Sequence, residues 1–218
     1  MKLSVTFRRD SCHSITNKPY MTKLFTKLIR PTSIFLGLTF FGAGMAKLYF
    51  EHRYFGWIGP VWLEEKLEPY QLGMYARFIA YAQVIIGYLM FTLRFRLLGA
   101  IMAIPLIVNI LMITISQNWS GTPYVLAVLL AMNLYLIIME GKWLLPLVGV
   151  GANRPYSLSQ MTIKGHMIWG VGLMLNLVSI AISFHQIYAA WGVSLLGITM
   201  SFVAFKFDEN PAFKNDTI

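Results

Sequence analysis

Three ionisable side chains fall within the long apolar runs of this chain: Lys47, Arg77 and Glu140. A charge inside a bilayer is costly and persists where it meets a partner, a cavity or the headgroup layer, so these three are the first candidates for chemistry. Each sits near the end of its run. Two readings follow: Lys47 and Arg77 snorkel to the outer interface while Glu140 caps an inner helix end, or the cations line a polar groove. The second gains from spacing, because Arg77, Tyr81, Val84 and Tyr88 recur at i, i+4, i+7 and i+11 and so share about 40° of one helix face.

Amides extend the pattern. Pro105, Asn109, Met112 and Ser116 share a face of the next run, and Asn133 lies seven residues before Glu140 in the one after. Buried amides in lipid commonly bond across helices as packing contacts, the ordinary reading for Gln83, Asn109 and Asn133. If they converge instead with the two cations, the result is an outer-side pocket with donors for a carbonyl or an anion. The candidate ligand-binding set is Lys47, Arg77, Tyr81 and Asn109.

Other chemistries find little support. The single cysteine, Cys12, allows no disulfide, thiol pair or thiolate metal cage within the chain. His166 and His185 bracket one run and would lie about 28 Å apart at 1.5 Å per residue, too far to share a haem iron. There is no HExxH, phosphate-binding glycine loop, serine–histidine–aspartate order or carboxylate metal cluster. No cofactor is encoded by motif, and the expectation leans away from an enzyme.

The elements that must position these residues are membrane helices. Of 218 residues 57% are hydrophobic and only 12% charged, against about 25% charged in soluble domains. Apolar runs of about 18 to 22 residues suit helices, and the ten-residue alternation of a barrel is absent. The spans are expected at 32–50, 74–93, 97–116, 122–140, 165–184 and 188–205, an all-α polytopic bundle of about six transmembrane helices. The stretch 60–67, with Pro60 early and Pro69 after it, reads as a short interfacial helix. Pro146, the Gly149–Gly151 run and Pro155 mark a boundary, giving a basic segment 1–30 (1–20 disordered), a four-helix unit 31–145, a two-helix hairpin 146–207 and a tail 208–218. The stripes Gly165, Gly172, Asn176, Ser179, Ser183 and Ala190, Ser194, Gly197, Ser201 are expected to pack that hairpin together.

Eighteen Lys and Arg against nine Asp and Glu make the chain basic, but the basic residues lie in loops with no aromatic-interleaved patch, which speaks against nucleic acid. Fourteen of them fall on one side of this topology and two, Arg53 and Lys66, on the other. By the positive-inside rule both termini are cytoplasmic, in a multi-pass protein of the plasma (inner) membrane. Residues 1–30 lack an apolar h-region and are not expected to be a cleavable signal. Met21 is a second plausible start, opening an amphipathic lead-in to the first span.

The segment Phe35-Leu36-Gly37-Leu38-Thr39-Phe40-Phe41-Gly42-Ala43-Gly44-Met45-Ala46-Lys47-Leu48 resembles the opening helix of the DoxX-like membrane family. Phe91-Thr92-Leu93-Arg94-Phe95-Arg96-Leu97-Leu98-Gly99-Ala100 is similar to that family's hairpin between its second and third helices. The resemblance covers about residues 32–145. It implies a four-helix bundle, tied in some members to a quinone-linked thiosulfate-oxidising system, with a related branch similar to MauE that supports disulfide chemistry through paired cysteines this chain lacks. Lys47 is the one polar position carried over, without an assigned role. The expected function is an accessory, non-catalytic subunit of a quinone-linked redox or respiratory membrane assembly, with a quinone or lipid-like pocket and a membrane-protein partner or a second copy alongside. The alternatives are a membrane oxidoreductase acting directly with quinone, and a small-molecule transporter or lipid-binding protein.

Overall fold

The computed structural model describes residues 19–56, 61–140 and 162–208, and among them there are helices and turns but no strand. Six helices are long and apolar enough to cross a bilayer: α1 (Pro19–Leu48, its span from Lys27), α3 (Gly73–Phe91), α4 (Arg96–Ser116), α5 (Thr122–Glu140), α6 (Ile163–Ser183) and α7 (Ile187–Asp208). The short helix α2 (Leu63–Leu67) lies between the first two spans. The chain is a multi-pass membrane protein whose lateral surroundings are lipid. Even-numbered crossing returns residues 19 and 208 to one side, here called the Arg94 end; the opposite side is the Lys47 end.

Expected and observed spans agree within a few residues except at the first, where lead-in and span are one helix. At 1.5 Å per residue its 30 residues reach about 45 Å, longer than the hydrocarbon core, so its first turns project beyond it. Helix α2 is shorter than the expected 60–67: it ends at Leu67 in a 3₁₀ turn, Glu68–Tyr70, that carries Pro69. Pro60, Cys12, Met1, the segment 1–18, the 145/146 boundary and the tail after 208 lie outside the described residues.

Helices α1 and α3 form a central pair. A methyl at Gly37 would run into the backbone of Phe91, and one at Gly87 into that of Phe41, so the two backbones touch where the side chains are hydrogen. In lipid, where apolar side chains gain nothing by leaving the solvent, this close van der Waals approach is a main source of helix association. One core lies on the α4–α5 side, with Leu36, Phe40, Ile79, Ile107, Leu129 and Leu136. A second lies on the α6–α7 side, with Phe41, Met45, Val84, Tyr88, Phe91 and Trp169. Helices α1 and α3 supply both. Helix α6 meets α7 at Gly172 and Gly197, where a methyl on either would strike the other's carbonyl oxygen. The expected small-residue stripes are this contact: Gly172, Asn176, Ser179, Ser194 and Ser201 are all buried.

Candidate functional site

Lys47 is the penultimate residue of α1 at the Lys47 end. Helical side chains tilt toward the helix N-terminus, which here means back into the membrane. The ammonium follows that tilt and does not snorkel outward: Nζ donates to the Ala43 carbonyl one turn back at 3.1 Å and to Gln83 Oε1 of α3 at 3.0 Å. Gln83 is buried, and its carbonyl is the acceptor that fixes the lysine. Two of the three ammonium donors are thereby used.

Both side chains line a cavity of about 450 Å³. Its walls are Thr39, Phe40 and Ala43 of α1, Ile110 of α4, and Val125, Leu126 and Leu129 of α5. Toward the Lys47 end it is bounded by Val61, Trp62 and Leu63 and by the turn Ser120–Thr122, where Gly121 takes φ 91°. The Thr39 hydroxyl donates to its own helix at Phe35 O, 2.8 Å away, so its proton is engaged. Lys47 and Gln83 remain as polar groups in an otherwise largely apolar wall, with the Ser120 and Thr122 hydroxyls at its Lys47 end. Mostly hydrocarbon with a few placed polar groups is the usual build of a small-molecule site, and the volume lies in the usual range of about 300–1,000 Å³.

The segment over the cavity is tied down at three points. Leu63 and Leu67 are buried in the core, Trp62 packs on Trp119 with ring centroids 5.6 Å apart, and Glu64 of α2 accepts from Arg77 Nε at 2.6 Å. That ion pair is where Arg77 resides, exposed at the interface. Arg77 also lies six residues, about 9 Å along the axis, outward of Gln83. The two cations therefore do not sit side by side at one depth.

Of the four residues expected in an outer-side pocket, Lys47 lines the cavity, whereas Arg77, Tyr81 and Asn109 are exposed and do not. The shared helix face read from Arg77, Tyr81, Val84 and Tyr88 turns toward α6–α7, where Val84 and Tyr88 are fully buried. Tyr81 is about 200° around α3 from Gln83. Asn109 lies beside Val108 and Met112 on the exposed side of α4. Sequence reasoning missed Trp62, Leu126 and Leu129; no polar signal marks them.

The other buried polar residues serve packing. Asn133 Nδ2 donates to Ala100 O of α4 at 2.8 Å. Glu140 does not simply cap its helix: it is buried and pairs with Arg96 of α4. Arg94, fully buried as a side chain, pairs with Asp208 of α7 at 2.6 Å and reaches His166 Nδ1 at 3.2 Å, fastening the α3–α4 turn to the α6–α7 hairpin. Near the Lys47 end the Tyr49 hydroxyl donates to Ser179 Oγ at 2.8 Å, and the Tyr54 hydroxyl lies 3.0 Å from Ser194 Oγ. Burial pushes both phenols up from their ordinary pKa. The histidines at the two ends of α6 share no site, and the described residues hold no group of three metal-ligating side chains.

No protein-family model, no curated protein and no solved structure matches the chain.

Proposed function

We propose that this protein is a DoxX-like, non-catalytic accessory subunit of a quinone-linked membrane assembly, and that its own task is to hold a lipid-soluble molecule in the Lys47–Gln83 cavity. The observation that carries this is the pairing of two convergent donors with a largely apolar chamber of about 450 Å³. A quinone carbonyl or the head of a lipid-like molecule meets the donors, and its tail lies against Ile110, Leu126 and Leu129. Direct catalysis with quinone gains no support from the wall, which carries no histidine, carboxylate or thiol. Transport through broken mid-membrane helices gains none either, because α4 runs unbroken through Pro105. We place the Arg94 end in the cytoplasm of a plasma (inner) membrane protein, on the strength of the basic segment preceding α1.

The cavity reading is tested by isolating the protein in mild detergent and analysing extractable quinones, lipids and co-purifying proteins, for wild type and for Leu126→Trp, which fills the chamber. A bound lipid-soluble molecule lost on filling supports the reading; identical extracts refute it. Orientation is tested in intact cells with a cysteine-free variant, Cys12 replaced. Phe55→Cys and Glu68→Cys should react with an impermeant maleimide, and Phe95→Cys and Ala152→Cys only after permeabilisation; the reverse pattern inverts the topology.

A further inference from the structure

An ammonium held partly out of water is stabilised by a counter-charge, since neutral acceptors recover only part of the solvation it loses. Lys47 has two such acceptors, Ala43 O and Gln83 Oε1, and forms no ion pair with any described carboxylate.

The chain has nine acids, of which six lie among the described residues. Glu51 pairs with Arg53, Glu64 with Arg77, Glu140 with Arg96 and Asp208 with Arg94. Glu65 faces His52 at 3.9 Å, and Glu68 is exposed outside the cavity wall. Asp10, Glu209 and Asp216 lie outside the described residues. Residues 57–60, Trp-Ile-Gly-Pro, and the connection 141–161 contain no acid at all. Among the described residues Arg77 thus finds a carboxylate partner while Lys47 does not.

We infer that the counter-ion of Lys47 is supplied by the ligand: the cavity takes an amphiphile with an anionic head, a carboxylate or a phosphate, on an apolar chain. The inference rests on the cavity reading above and narrows it, because a neutral quinone would leave the charge uncompensated. The third N–H of Lys47 and the amide N–H of Gln83, both without a protein acceptor among the described residues, meet the head's oxygens. Ile110, Leu126 and Leu129 meet the chain. A charge-assisted contact in a low-dielectric site favours the anion over a neutral head of the same length.

The test uses full-length protein in phosphatidylcholine nanodiscs and three probes of one chain length, brominated near the head so that the bromine lies at the Lys47 end: 5-bromododecanoate, 5-bromododecyl phosphate and 5-bromododecan-1-ol. Bromine quenches indole, and Trp62 lines the cavity; Trp62→Phe is the control that the signal arises there. Wild type should bind at least one acid tenfold or more tighter than the alcohol at pH 7, with the stronger acid identifying carboxylate or phosphate. Lys47→Met should abolish that ratio while retaining alcohol binding, and Lys47→Arg, which keeps the charge, should retain it. Alcohol binding as tight as both acids, or an unchanged ratio in Lys47→Met, overturns the anionic head and leaves the cavity reading standing. Failure of all three probes to quench Trp62 overturns both. Should Lys47→Met not fold, Lys47→Gln, which keeps a donor but not the charge, decides: loss of the ratio there with retention in Lys47→Arg is in favour, and an unchanged ratio in Lys47→Gln is against.

Discussion

On the α6–α7 side of the central pair, most polar groups of the spans and their ends are matched to one another, Arg94 Nε being buried without a partner among the described residues. Asn176 accepts from Ser194 and donates to Gly172 O, Tyr88 donates to Trp169 O, Trp169 donates to Thr92, and Arg94 closes on Asp208. On the α4–α5 side, Lys47 has only neutral acceptors and Asn133 Oδ1 is buried without a partner among the described residues, and a cavity is lined by α1, α4 and α5. The hairpin α6–α7 is thus fastened mainly by contacts within the chain, whereas the α4–α5 side holds the larger cavity and an ammonium facing it. Buried polar networks that are satisfied rigidify a structure, and those left open are where a ligand gains most.

The contrast can be broken most sharply at its fastening. Arg94→Leu leaves Asp208 without its guanidinium and should destabilise the bundle by about 3–5 kcal/mol, read as the loss of melting temperature in detergent; Arg94→Leu with Asp208→Leu should recover much of it. A small effect of the single change would show that the hairpin is held by apolar packing alone. On the open side the sign should reverse. Lys47→Met removes an uncompensated charge, so ligand-free protein should gain about 1 kcal/mol, or about 2–4 °C, and the gain should vanish when the wild type is loaded with its acid.

Alkaline titration sharpens the same comparison. With the Tyr49 and Tyr54 phenols raised above their ordinary 10.0, the unfolded chain releases these protons first. Their stabilising effect is complete below pH 10 and is lost as pH rises through the folded-state values. Melting temperature should therefore fall above pH 10, and fall less in Tyr49→Phe with Tyr54→Phe. The smallest effect is expected at Asn133→Leu, which forfeits one bond to Ala100 O and relieves the unpartnered Oδ1. Intramembrane hydrogen bonds average about 0.6 kcal/mol, so a change below about 1 kcal/mol in a chemical melt is expected, and a large loss would reveal a polar role on the open side.

Much of the frame was legible in the residues. Six apolar runs bounded by charge, proline and glycine gave the spans, and the small residues of α6 and α7 gave their contact face, because close backbone approach demands small side chains wherever helices meet in lipid. The candidate site was legible only in part. Lys47 stands out as an ion in a span, yet spacing joins Arg77 only to Tyr81, and bringing these and Asn109 to Lys47 requires the faces of three helices to converge, whereas spacing says which residues share a face but not what that face looks at.

By itself, then, the sequence determined the solvent, the number of crossings and the residues too costly to leave without a reason. It could not determine which side of α3, α4 or α5 looks inward, since lipid and core are equally apolar and a membrane helix shows little of the polarity contrast that orients a helix in water. Val108 on the exposed face of α4 and Ile107 in the core are chemically alike. Only the tertiary structure decided that Arg77 takes Glu64, that Arg94 takes an aspartate 114 residues away, and that Lys47 turns inward to Gln83 and a cavity. Ion pairing depends on which charged ends the packed helices bring within reach, and that order of packing is written in side-chain shape, which no periodicity in the sequence records.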